Sequence, residues 1–195
     1  MANPVKIFGI WIWMSLNMMV ASQTRDAGAA RWAVCFDGES QYFSVPGVAR
    51  GAQAASVWAK IDHPTLQPSY GRETFLLDLA ASREGTISSR RVGSGWTRVF
   101  VDGQLQASPP ITDMDQLPTV TWFHLHVEAS QSFFSDMHLM ADSNSAGHLR
   151  GCLTDLLLWA GAVSAADVAV VARGFDYFAA SARGLVAAYA LEEGA

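Results

Sequence analysis

From residue 31 to residue 159 the chain moves between apolar and polar positions with a period of two, and the alternation breaks roughly every ten residues at Gly, Pro, Asp or Ser clusters. Successive side chains of a strand point to opposite faces, so this rhythm predicts short antiparallel strands rather than helices. Strands are predicted over 32–36, 41–45, 55–61, 74–79, 122–128, 137–141 and 151–159, with a weaker one over 86–91. A hairpin is predicted over 96–105, turning on Asp102 and Gly103, because Asp-Gly between two apolar runs suits a turn whose central residues both need positive φ. In the 122–128 strand, Phe123, Leu125 and Val127 point one way, and Trp122, His124, His126 and Glu128 the other. One helix is predicted, opened by Ser164 as N-cap with Asp167 in its first turn and closed by Gly174. The fold class that follows is an all-β antiparallel sandwich of two sheets with one short helix on the C-terminal side.

The order of several short motifs sharpens this. Gly151, Cys152, Leu153, Thr154, Asp155 and the run to Trp159 lead into Ser164, Asp167 and Val168; upstream stand Phe36-Asp37-Gly38, Tyr42, Val45 and Pro46, then the Asp102-Gly103 turn and Trp122-x-His124. This order resembles laminin G-like domains of the concanavalin A-like superfamily. The resemblance implies a jelly-roll domain over 31–174 that binds glycan or protein through rim loops and does no chemistry. The stretch from Gly184 to Gly194 is similar to the strand that normally begins such a domain, and 175–195 therefore either fills a domain edge or starts a second repeat.

Charge narrows the partners. The net charge is −5, and the 13 Lys and Arg are scattered apart from Arg90-Arg91, so no basic stripe follows a phosphate backbone and nucleic acid is not an expected partner. Residues 1–22 carry one lysine, Lys6, an apolar run from Ile7 to Ala21 and small residues at Val20 and Ser22, which reads as a secretory signal peptide. An uncleaved anchor is the alternative, although about 15 residues rise only about 22 Å as a helix against a hydrocarbon core of roughly 30 Å. The expected location is secreted or extracellular, or membrane-anchored with the domain outside if the segment is retained. Secretion would place the two cysteines, Cys35 and Cys152, in an oxidising compartment where they can form one disulfide; two separate buried thiols are the other reading. In a jelly roll that bridge would join the first strong strand to the last, and closing so long a loop is worth roughly 4–5 kcal/mol in the chain-entropy model.

Candidate chemistry is sparse. The Glu-x-Asp-x-Glu strand of sandwich glucanases and the Gly-x-Ser-x-Gly elbow are both missing, so no catalytic residue is assigned and the protein is read as a non-enzyme that requires no cofactor. His124-x-His126, with Glu128 in line, is a minor zinc candidate. Asp142 and Asn144, with Asp136, offer hard oxygen ligands for calcium, though Asp-Ser-Asn-Ser is equally an ordinary turn. Trp96 and Trp122 are the tryptophans expected to face outward as ligand-binding plates, while Trp58 and Trp159 read as core. The leading expectation is an extracellular recognition or adhesion module for glycan or protein. The alternative is a structural subunit of an extracellular or membrane-associated assembly, favoured by the apolarity of both faces at Leu156, Leu157, Leu158 and Trp159.

Overall fold

Alternation sets the strands, and two bulges decide which face each one buries. The computed structural model of the protein describes residues 5–7, 10–12, 22–26, 29–45, 51–63, 72–79, 85–106, 112–132, 135–174 and 184–189, with side chains from residue 33 onward. The strands are β1 (Val5–Ile7), β2 (Ile10–Ile12), β3 (Ser22–Asp26), β4 (Ala29–Asp37), β5 (Phe43–Val45), β6 (Ala54–Ile61), β7 (Phe75–Leu79) and β8 (Thr86–Ser88). They continue as β9 (Arg91–Val92), β10 (Trp96–Val101), β11 (Gln104–Leu105), β12 (Trp122–Ala129), β13 (Met137–Leu139), β14 (Arg150–Trp159) and β15 (Leu185–Tyr189), with helix α1 (Ala165–Arg173) before the last.

The large sheet runs β11-β10-β12-β6-β14-β4-β3, with β15 also paired to β14, and the small sheet runs β5-β13-β7-β8-β9. Every strand-to-strand ladder in both sheets is antiparallel. One core joins the two sheets: Val34, Val57, Phe123, Leu125 and Leu153 of the large sheet pack with Phe43, Leu77, Ile87, Met137 and Leu139 of the small one. The protein is thus an all-β sandwich with a short helix. The large sheet reaches back beyond residue 31, because β3 pairs with β4.

Residues 1–22 contain the β1–β2 hairpin and the first residue of β3; the rest of that segment, like 175–183 and 190–195, lies outside the described residues. Among the described residues no helix is long and apolar enough to cross a membrane. β15 lies along the second half of β14, with Tyr189 opposite Leu156 and Ala187 opposite Leu158.

β14 is the longest strand, and it changes partner halfway. Its first half pairs with β4, where Cys152 faces Cys35 and the two form the disulfide. Gly151 is required there, since a Cβ would collide with the Lys60 carbonyl of β6. At Asp155 the backbone enters positive φ, at 49°, and the register to β6 shifts between Thr154 and Leu157. This bulge inverts the alternation. Leu153, Leu156 and Leu158 point into the sandwich, and Leu157 and Trp159 point out of it, into a second apolar cluster with Ala54, Phe100, Val163, Val168 and Val171.

That second cluster lies under α1. The Ser164 side chain accepts the Asp167 N–H, as the cap requires, and Gly174 N–H closes the helix on the Val171 carbonyl. The hairpin turn at Asp102 and Gly103 has φ of 51° and 77°, and a Cβ on Gly103 would meet the Ala169 backbone of α1 at 2.8 Å. A glycine is therefore needed there twice over, for the turn and for the helix that rests on it.

Candidate functional site

The outer face of the large sheet has a covered half and an open half, and polar chemistry gathers in the covered one. β12 sits between β10 and β6, so His126 lies opposite Phe100 on one side and Ser56 on the other, and Glu128 lies opposite Arg98. Ser56, His124, His126 and Glu128 are each 1% exposed. The side chains predicted to form the outward face of β12 do so, yet His124, His126 and Glu128 are buried and only Trp122 is half-buried; Glu128 is covered by the segment leading to α1, whose Val163 it holds.

The hydrogen bonds form one connected set. Trp159 Nε1 donates to Ser56 Oγ at 3.1 Å, and Ser56 Oγ stands 2.6 Å from His126 Nδ1. An indole N–H can only donate, so the hydroxyl proton is free to go to His126 Nδ1. Nε2 then carries the ring proton and donates to Glu128 Oε1 at 3.1 Å. The same Oε1 accepts the Val163 N–H at 3.0 Å, and Arg98 Nη1 donates to Glu128 Oε2 at 2.9 Å and to the Val163 carbonyl at 3.3 Å. Both backbone groups of Val163 are thereby held. The Arg98 guanidinium also lies 4.7 Å from the centre of the Phe100 ring.

Charge follows from these contacts. Burial pushes the His126 imidazole below its ordinary range; the Glu128 carboxylate opposes this, Arg98 adds to it, and burial prevails. For Glu128, burial pushes upward, but the bonds from His126 and Val163 and the nearby Arg98 charge outweigh it and hold the carboxyl below the usual range. The set therefore holds a carboxylate paired with a guanidinium and a neutral imidazole between hydroxyl and carboxylate.

Serine, histidine and carboxylate in that order match the chain of contacts in hydrolytic triads. Here Ser56 lies in the middle of β6, buried, with its oxygen already accepting from Trp159. The arrangement fixes the Val163 segment to the sheet and presents no nucleophile to solvent.

His124, two residues along the same face, differs. Neither ring nitrogen has a hydrogen-bond partner, and the ring packs on Trp58 with centroids 4.3 Å apart. Burial, with a contribution from His126, lowers its pKa to about 3. It is a neutral imidazole in an apolar slot.

The open half holds different residues. Lys60, Trp122 and the Cys35–Cys152 bridge are half-buried on this face, and half-buried Trp58 stands at the boundary, packed against the second apolar cluster. Trp122 is opposite Lys60 and Trp58 is opposite His124, so the two indoles are diagonal neighbours across β6 and β12. At the adjoining rim, Arg150 pairs with Asp62 at 3.0 Å, and Val120 stands 54% exposed with φ of 67°.

Other predicted site residues are placed as follows. Trp96 does not face outward: it is 8% exposed in the sandwich core, because a register shift between Trp96 and Arg98 turns it inward. Asp142 Oδ1 accepts the Asn144 and Ala146 N–H groups at 3.0 and 2.7 Å, so its carboxylate organises its own turn. Asp136 is exposed at the other end of β13, apart from that turn. Among the described residues no group of three or more His, Cys, Asp or Glu could hold a metal ion, His124, His126 and Glu128 included.

Sequence reasoning missed Ser56, Arg98 and Trp159 as partners of His126 and Glu128. Trp58, read as core, is half-buried and packs against the second apolar cluster, with Trp122 as its diagonal neighbour. The available signal was the apolarity of both Leu157 and Leu158, since a sheet needs apolar residues on both faces only where both are covered. No family model matches the chain, and neither a curated protein nor a solved structure matches it.

Proposed function

We propose that the protein is a non-enzymatic extracellular recognition module of the laminin G-like, jelly-roll kind, which binds a glycan or protein partner at the rim where β6 ends and β12 and β14 begin. The observation that carries this reading is the diagonal pair of half-buried tryptophans, Trp122 on the open half of the sheet and Trp58 at its boundary with the covered half, with Lys60 opposite Trp122. Flat indole faces beside a cationic side chain suit stacking on a sugar ring with a hydrogen bond or charge contact at its edge. The disulfide supports an oxidising compartment.

The experiment is a screen of the protein against immobilised glycans, followed by titration of any hit with wild type and Trp122→Ala. Affinity should fall about tenfold or more in the variant, the scale of a buried aromatic anchor. Binding that survives the substitution unchanged would remove the rim from consideration.

A second reading, a structural subunit of an extracellular or membrane-associated assembly, has its own support in Leu105 and Val170. They are 53% and 52% exposed, on the edge strand β11 and on α1. Concentration-dependent association, abolished by Leu105→Lys, would favour it.

A further inference from the structure

We propose that α1 and the segment entering it form an acid-released cover: at neutral pH Glu128 and Arg98 hold the Val163 backbone against the large sheet, and proton uptake by His124 and His126 lets the cover open while the sandwich beneath stays folded. Two features of the geometry carry this. First, the cover is attached through a small unit of its own, since Phe100, Leu157, Trp159, Val163, Val168 and Val171 cluster apart from the main core between the sheets. Stability is not uniform across a protein, and a unit with few buried contacts opens before the rest. Second, the face under and beside it holds two imidazoles that are 1% exposed, one of them with neither nitrogen paired. A proton on His124 would find no acceptor in the closed form. A proton on His126 would have to sit at Nδ1, where it displaces the hydrogen bond that the Ser56 hydroxyl now donates.

The charged groups around the pair are few. β12 contributes Glu128 and β10 contributes Arg98, which act in opposite senses on His126. Asp102, at the β10 turn, accepts the His124 backbone N–H, and Lys60 of β6 lies one pair further along, opposite Trp122. β14 offers the neutral Trp159 indole and carries the buried Asp155 at its bulge, and the segment before α1 contributes the Val163 backbone. α1 keeps Asp167 in its first turn and Arg173 in its last.

The direction is fixed by linkage. Both imidazoles are held below their ordinary value of 6.5 when closed, so the open form binds protons that the closed form does not. The closed form has its full advantage above that value and loses it as pH falls, down to about 3 for His124. Glu128 adds to the same trend only below the ordinary carboxyl range, so the interval from pH 6.5 to about 5 isolates the imidazoles.

Hydrogen–deuterium exchange of the full chain between pH 6.5 and 5, corrected for the intrinsic exchange rate, tests this. Peptides covering 162–174 should lose protection by up to about 100-fold per pH unit, the limit for two protons, while peptides in β6, β12 and β14 keep theirs. Unchanged protection over 162–174, or loss in step across the whole sheet, overturns the proposal. His124→Phe, which fills the slot against Trp58, should reduce the slope toward about tenfold per unit. His63→Gln, at an exposed site, should leave it unchanged, and either variant doing the opposite overturns the role given to His124.

Discussion

The inner face of the large sheet and the covered half of its outer face are buried by different means. The inner face meets the small sheet through Phe123, Leu125, Val127, Leu153 and Leu156, side chains with no polar atoms to satisfy. The covered half of the outer face meets one nine-residue helix through a handful of apolar residues wrapped around a carboxylate, a guanidinium, two imidazoles and a hydroxyl. An apolar interface gains stability from area and tolerates small shifts, whereas a buried polar set must keep each partner in place. The inner face therefore holds the protein together, and the outer one specifies where a particular segment docks.

The largest effect is expected from the inner face. Phe123→Ala removes a ring that is 1% exposed between the two sheets and should cost about 3–5 kcal/mol, measured by urea unfolding. Glu128→Gln probes the other face. It keeps the shape but leaves the Arg98 guanidinium without its anion and turns an amide N–H toward one of three donors, His126 Nε2, Val163 N–H or Arg98. Because Arg98 is about a third exposed and can turn to water, the expected cost is about 2 kcal/mol rather than the larger figure for a fully enclosed pair. The comparison breaks if the two substitutions destabilise the protein alike, or if Glu128→Gln lowers protection throughout the sheet rather than chiefly over 162–174.

Much of the inner face was legible in the sequence, and most of the outer face was not. Period-two alternation found most strands of both sheets, though not β3, the Asp102-Gly103 turn announced its hairpin, and Ser164 with Asp167 announced the helix start. Each is a local rule read over a few residues. The outer face depends on non-local facts. Alternation says that His124, His126 and Glu128 share a side, and the usual reading of a polar side is a solvated one. What buries them comes from elsewhere in the chain: Trp58 against His124, Phe100 against His126 and the Val163 segment against Glu128. Bulges defeat alternation in the same way: one at Asp155 sends Leu157 and Trp159 outward, and one between Trp96 and Arg98 sends Trp96 inward, away from the ligand face expected for it. A residue added to one strand inverts every later side chain, and nothing in local composition marks where that occurs.

The smallest effect should come from the open rim, where neither face governs. Val120 holds φ of 67°, a region that a β-branched residue seldom enters, and its side chain is more than half exposed. Its N–H donates to the Ile61 carbonyl at 2.7 Å, beside a parallel bridge between Ile61 and Thr119, so the backbone conformation is set by that contact and not by burial of the side chain. Val120→Gly removes the Cβ that makes the conformation costly, a relief of roughly 1–2 kcal/mol, while the added freedom of the unfolded chain takes back up to about 1 kcal/mol. The net expectation is a gain of about 0.5 kcal/mol or a little more, seen as a higher midpoint in urea at unchanged slope. If the rim is the binding surface, the same substitution should weaken binding even as it stabilises the fold, because it removes an exposed apolar contact beside Trp122. Stability and affinity moving in opposite directions at one residue would separate a strained position kept for recognition from one kept for folding. A loss of both would mean that the Val120 side chain packs more tightly against the rim than its exposure indicates.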